Sequence, residues 1–246
     1  TLNATDDGTY NTALGHAALA NGNCGDNNVA IGRSALVAYT GNYATAVGTY
    51  ALEAATSGEY LTAVGLHAGG AITNGDEHVA VGYGALADCS TGNKNTVIGA
   101  FAGNKTTGSS NTYVGNNTGY YGTTADDNVA VGRNALLGSS GNTTGNKNVA
   151  IGSYCLDAST TGESNIGLGY AAGGAINSAN YNIAIGDSAL STEDQGSGNV
   201  AIGYLALQDQ NTDTGRNTAI GFEAAKNLTA GTDGVYLGYA AGGLGD

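Results

Sequence analysis

The sequence predicts an all-β chain folded as a parallel β-solenoid of 14 coils of about 17 residues each. Three observations carry this expectation. The string NVAIGRSAL at 28–36 returns as NVAVGRNAL at 128–136 and NVAIGYLAL at 199–207. Its central glycine recurs as Gly15, Gly32, Gly48, Gly65, Gly82, Gly99, Gly115, Gly132, Gly152, Gly169, Gly186, Gly203, Gly221 and Gly238, in steps of 16 or 17 residues apart from one of 20 and one of 18. The composition is also that of a repeat, with 43 Gly, no Pro, Met or Trp, 15 Tyr against 2 Phe, and 11% charged residues where about 25% is usual. No stretch is left for a second domain, so residues 1–246 are expected to form one repetitive domain.

Taken in chain order, each copy opens seven residues before the central glycine with another Gly in 11 copies, commonly preceded by Thr or Ser. That pair predicts a turn in which Gly supplies positive φ. The next residue forms a polar turn column containing Asp26, Glu59, Asp76, Asp126 and Glu163, with Asn42, Asn93, Asn146 and Asn180 elsewhere. Four residues before the glycine, Asn fills the column in 10 copies: Asn11, Asn28, Asn95, Asn111, Asn128, Asn148, Asn165, Asn182, Asn199 and Asn217. Stacked coils would place these amides over one another as a hydrogen-bonding ladder, a structural role.

A strand triplet follows. Its first residue is Val, Thr or Ile and its third is Ile, Val or Leu in all 14 copies. These two flanking columns share one face of a short strand and are expected to pack in the core. The middle column is Ala in 10 copies but Val97, Tyr113, Gly167 and Tyr236 elsewhere, a tolerance that predicts a position outside any tight interior. Beyond the central glycine, a small column three residues on is Ala in 12 copies and Thr118 or Cys155 in the others; the next column is Leu in eight, Gly in five and Ala225 once. Both are expected inside. Where Leu gives way to Gly69, Gly173 or Gly242, an extra apolar residue follows at Ile72, Ile176 or Leu244, replacing lost volume. One such coil cannot bury its own apolar face, whereas stacking at about 4.8 Å pairs strands in parallel and builds a continuous core. Helices are excluded by glycine at this density.

A formal net charge of −13 with only 7 basic residues spread along the chain argues against nucleic acid. No apolar run approaches the roughly 18 residues of a membrane span, so no membrane insertion is expected. The start at Thr1 is read as that of a processed product or a piece of a longer chain. Cys24, Cys89 and Cys155 are odd in number and lack metal or redox spacing. They predict free thiols suited to assembly in a reducing cytoplasm.

The pattern G-x-x-N-[VTI]-A-[IV]-G-x-x-A-[LG], running from residue 8 to 242, resembles the NTAIGxxAL repeats of phage tail fibres and bacterial tail fibre domain proteins. More distantly it resembles the AIGxxA repeats in YadA-like heads of trimeric autotransporter adhesins. The resemblance implies a left-handed parallel β-roll, a homotrimeric extracellular fibre on a virion or cell surface, and attachment to a host or bacterial surface glycan or protein receptor. The repeat is longer here than in the adhesin heads, which predicts larger turn loops or a third side. A strand with aliphatics on one face and mostly Ala on the other also reads as one packed on both sides; the resemblance implies that further chains of a homotrimer cover the Ala face, the alternative being a bare Ala face on a monomer.

No catalytic, cofactor or metal site is expected. GLGYAAGG at 167–174 lacks dinucleotide-loop spacing. The acids of the turn column lack the calcium-binding nonapeptide. His16, His67 and His78 fall in three different columns, and the pairs Asp6–Asp7 and Asp126–Asp127 lie in turns. The column just after the glycine varies in chemistry and is the candidate surface for recognition or trimer contact: Arg33, Tyr83, Arg133, Tyr170, Tyr204, Phe222 and Tyr239. The expected function is an adhesive fibre shaft or head that does no chemistry. Three other readings stand beside the phage fibre: a bacterial trimeric adhesin head, a fibre-borne glycan hydrolase, and an ice- or surface-binding solenoid. The last is suggested by Thr12, Thr45, Thr62, Thr96, Thr112 and Thr218, a column whose aliphatic company predicts that it packs inward.

Overall fold

The structure, a computed structural model, describes residues 8–139, 143–192, 195–210 and 215–243. Asp6, Asp7 and Leu244 lie outside these residues. The chain is an all-β parallel β-solenoid, with no helix among the described residues. It divides into two units, Thr1–Thr123 and Thr124–Asp246.

Unit 1 carries β1 (Thr12–Leu14), β2 (Val29–Ile31), β3 (Thr45–Val47), β4 (Thr62–Val64), β5 (Val79–Val81), β6 (Thr96–Ile98) and β7 (Thr112–Val114). Each strand pairs in parallel with the next, triplet on triplet. Unit 2 repeats the arrangement with β8 (Val129–Val131), β9 (Val149–Ile151), β10 (Ile166–Leu168), β11 (Ile183–Ile185), β12 (Val200–Ile202), β13 (Thr218–Ile220) and β14 (Val235–Leu237). The longer steps before Gly152 and Gly221 leave this register intact, so their extra residues sit between strands.

Corners make the coil. Each has three residues with φ near +50 to +75°, five before, two after and four after the central glycine; in the second coil these are Asn27, Ser34 and Leu36. Most such residues are not glycine, and left-handed geometry costs roughly 1–2 kcal/mol for an L-residue. The return is alignment along the stack. The N–H of Asn27 donates to Thr9 O at 2.9 Å, that of Ser34 to His16 O at 2.9 Å and that of Leu36 to Ala51 O at 3.1 Å, each on a neighbouring coil.

The central glycine is architectural on two counts. Its φ lies between 117 and 144°, outside the range of L-residues. A Cβ on Gly82 would also stand 2.6 Å from Gly99 O in the next coil. The second glycine column corrects the sequence reading. None of its described members has positive φ. A Cβ there instead runs into the neighbouring coil, as on Gly162, where Ala179 O would lie at 2.5 Å. Where glycine stands here, stacking distance rather than turn geometry favours it, while Ala125 and Ala179 occupy the same column in two other coils.

The strand faces are the reverse of those expected. The middle column is the interior: Ala30, Ala46, Ala63, Ala80, Val97, Tyr113, Ala130 and Ala150 are fully buried. The flanking columns face out, with Leu14 67%, Leu168 44%, Ile98 41% and Ile166 40% exposed. The Thr column likewise does not pack inward; Thr12 is exposed and Thr45, Thr62, Thr96, Thr112 and Thr218 are half-buried. The reason is thickness, since the middle residue packs against the small and leucine columns of its own unit, which leave room only for a methyl group. The small column (Ala18, Ala35, Ala51) and the leucine column (Leu19, Leu36, Leu52) are buried as expected.

The middle column accepts Tyr and Gly because neighbours change with it. A Cβ on Gly119 would lie 2.5 Å from Tyr113 Cε2, so the missing Leu is the space that the ring fills. At Gly167 a Cβ would collide with Cys155 Sγ, the one described residue of the small column with a thiol in place of a methyl group. The predicted replacement by a later apolar residue also occurs: a Cβ on Gly69 would meet Ile72 Cδ1 at 3.0 Å, one on Gly173 Ile176 Cδ1 at 2.9 Å, and both isoleucines are buried.

Gly167→Ala should therefore cost about 1–3 kcal/mol through overpacking. In a Cys155→Ala background the same change should be neutral or stabilising, since the pair then matches the commonest coil. Denaturant unfolding of the four proteins in this cycle gives the coupling energy, and an additive result would contradict the assigned contact.

Candidate functional site

Two polar ladders occupy the inner and outer sides of one turn. In the inner one the Asn column is buried, and each amide bonds mainly to backbone. Asn28 Nδ2 donates to Gly41 O at 3.0 Å and Asn148 Nδ2 to Gly162 O at 2.8 Å. Each Oδ1 accepts the N–H of the next rung, as Asn148 Oδ1 does from Asn165 at 2.9 Å and Asn165 Oδ1 from Asn182 at 3.0 Å. The ladder predicted from sequence is present, with the peptide rather than the neighbouring amide as principal partner.

Two rungs are improvised. Coil three has Ala44, which cannot donate to Gly58 O; the buried Tyr39 hydroxyl donates there instead. Coil five has His78, whose Nδ1 accepts the Asn95 N–H at 3.3 Å and whose Nε2 lies 2.7 Å from Gly92 O. A carbonyl only accepts and an N–H only donates, so these partners fix the neutral ring with its proton on Nε2. Burial pushes the His78 pKa down, against weaker opposing effects from the Gly92 bond, Asp76 and the Asn95 bond. Sequence reasoning missed both substitutes; the signal was the loss of Asn from four copies, at Ala44, Leu61, His78 and Gly234, two of which have these substitutes.

The outer ladder uses the acids and amides of the turn column. Asp26 Oδ1 accepts the Thr9 N–H at 2.7 Å, Asn42 Oδ1 the Asp26 N–H at 2.8 Å and Asp76 Oδ1 the Glu59 N–H at 2.8 Å. In unit 2, Asn146 Oδ1 serves Asp126 at 2.7 Å and Asn180 Oδ1 serves Glu163 at 2.7 Å. Among the described residues no three His, Cys, Asp or Glu side chains gather as a metal site. Cys24, Cys89 and Cys155 are free and buried, and burial pushes the Cys155 thiol up to about 12, away from thiolate chemistry.

The variable column after the central glycine faces out, and its rings form runs with those of the column beside it. In unit 1 the Arg33 guanidinium sits 5.3 Å from the Tyr50 ring centre, Tyr50 stacks on His67 at 4.8 Å and Tyr83 meets Phe101 edge-on at 4.7 Å. In unit 2 Arg133 lies 4.8 Å over Tyr154 and donates to its hydroxyl at 2.6 Å, while Tyr154 meets Tyr170 edge-on at 5.9 Å. Tyr204, Phe222 and Tyr239 form a separate run at 4.9 and 5.8 Å. The seven candidate residues thus fall into runs within their own units. Sequence reasoning omitted the connecting members Tyr50, His67, Phe101 and Tyr154, which lie one residue further on and belong to the same surface.

Beside these runs each unit has a hollow. The one in unit 1, about 300 Å³, is lined by Tyr83, Phe101, His67, Asp88 and Gly70 among others. The one in unit 2, about 680 Å³, is lined by Tyr154, Tyr170, Arg133, Asp157 and Gly174 among others. Asp88 pairs with Lys105 at 2.9 Å, whereas Asp157 makes no ion pair within 4.0 Å among the described residues.

His78 gives this surface's supporting turn a pH dependence whose sign is fixed. A folded-state pKa below the free value of 6.5 means that its contribution is present above pH 6.5 and is lost as pH falls toward the folded value. His78→Asn should remove that part of the acid sensitivity and leave stability at neutral pH equal or higher, as measured by denaturant midpoints across that window. Among known proteins, no family model, no curated sequence and no solved structure matches the chain.

Proposed function

We propose that the chain is the repetitive shaft or head of an extracellular attachment fibre, of the phage tail fibre kind, assembled as a homotrimer through the outward face of its strands. One observation supports this reading above others. On every coil the flanking strand residues are aliphatic or Thr, they point away from the core, and neither column contains a charge. Isolated chains rarely leave so long an apolar surface to water. A second copy of the same regular surface is the natural cover, since identical repeats match at every coil. The cover falls on the aliphatic face and not on the Ala face, which the coil buries itself. The reading assigns no catalytic step, and the turn carboxylates have a structural employment in the outer ladder.

A second reading has a specific observation in its favour. An outward array of Thr, Val and Ile at regular coil spacing is also what an ice- or mineral-binding surface would present, and the column does face out. Solution mass separates the two. A trimeric fibre has three times the 24.1 kDa chain mass. Ile151→Lys, at a side chain 39% exposed in the single chain, should dissociate it while leaving the circular dichroism of the coil unchanged. A monomeric wild-type protein with thermal hysteresis would replace the fibre by the ice binder. Retention of the trimer on intact bacterial cells tests the attachment role.

A further inference from the structure

We propose that the hollow bounded by Tyr154, Tyr170, Asp157 and Arg133 is a carbohydrate subsite for an uncharged pyranose unit, and that the hollow of Tyr83, Phe101, His67 and Asp88 is its counterpart in the other unit. The inference rests on the adhesive reading and names a ligand class and place for it.

Both units bring the same kinds of residue together at different repeat positions: Tyr170, one residue after a central glycine, with Asp157, five after one, and Tyr83, one after, with Asp88, six after. An edge-on aromatic pair forms one wall, with Tyr154 and Tyr170 inclined at 74° and Tyr83 and Phe101 at 64°. Each is also lined by a glycine five residues after a central glycine, Gly174 in one and Gly70 in the other, and by a carboxylate, Asp157 or Asp88. Volumes of about 680 and 300 Å³ lie at the scale of small-ligand sites.

This combination fits a sugar ring. A pyranose presents a face of C–H groups and a perimeter of hydroxyls, and so requires a flat apolar surface beside a hydrogen-bond acceptor. Tyr170, 55% exposed, offers an accessible ring, and the Asp157 carboxylate accepts hydroxyl protons in charge-assisted bonds. Arg133 acts as a positioning residue, because its contact over the ring and its hydrogen bond to the hydroxyl hold Tyr154 in place. Partial burial raises the Asp157 pKa, and no ion pair within 4.0 Å among the described residues compensates that desolvation, leaving the carboxylate available to a ligand donor. The net charge of −13 disfavours anionic glycans and nucleic acid, and Asp157 in the lining repels them locally.

The test is retention of the full chain on immobilised dextran, mannan, galactan and chitooligosaccharide, with alginate as the anionic comparison and intact bacterial cells alongside. Wild type should bind at least one neutral glycan and not alginate alone. Tyr170→Ala and Asp157→Asn, both outward positions, should each weaken that binding about tenfold without changing solution mass or circular dichroism. Retention on none of the neutral glycans, retention only on alginate, or equal binding by wild type and both variants would overturn the subsite. Cells that hold wild type and variants alike would overturn it while leaving attachment standing. Neutral-glycan binding lost in the variants, with no retention on cells, would leave the subsite standing and remove the attachment reading.

Discussion

The structure depends on the coil-to-coil hydrogen bond. Strand triplets supply only part of the stack; the corners continue it through N–H groups such as those of Asn27, Ser34 and Leu36. The corner residues that donate these bonds are left-handed, with φ of 60, 56 and 51° at Asn27, Ser34 and Leu36. Left-handed residues other than glycine are unfavourable by themselves. Neighbouring coils offset that cost with hydrogen bonds and burial, so stability is a property of the stack and not of the coil. The central glycine column follows from the same constraint, since coils about 4.8 Å apart leave no space for a Cβ where its backbone passes directly over the next.

The repeat, its parallel pairing, the Asn ladder and the buried small and leucine columns were legible in the sequence because each is a rule applied in nearly every copy. The orientation of the strand was not legible. Alternation in a triplet shows that the middle residue and its flanks face opposite ways, but not which way is in. Aliphatic residues normally mark the inside, and here the interior is too thin to accept them. The tolerance of the middle column for Tyr113 and Gly167 looked like exposure, yet it records paired changes at Gly119 and Cys155 that lie six and twelve residues away. Only contacts reveal those pairs. The roles of Tyr39 and His78 were hidden for the same reason, as each stands in for an amide missing from the ladder.

Turning the aliphatic face outward changes what the surface must do. A chain that buried Val29 and Ile31 would show no aliphatic strip on that side; this one leaves such residues half-buried or exposed on its strands. The apolar strand face and the aromatic runs then have different demands. The first is uniform, uncharged and suited to a copy of itself. The second mixes rings with Arg33, Arg133, Asp88 and Asp157, remains partly wetted, and varies from coil to coil.

The two hollows also follow from the packing rule, not from an independent addition to the fold. Residues 68–72 and 172–176 share the string AGGAI. Its first glycine, Gly69 or Gly173, replaces a core Leu and lies against Ile72 or Ile176, which fills the interior from the following loop. Its second glycine, Gly70 or Gly174, faces outward and removes the side chain that would otherwise occupy the surface beside the rings. An inward exchange of volume thus accompanies an outward loss of it. Coils that keep Leu in this column, such as those of Leu36 and Leu190, carry Val37 or Ser191 at the next position and lack that glycine. Hollows can therefore be cut into the surface of this solenoid at chosen coils while the hydrogen bonds that stack it are kept.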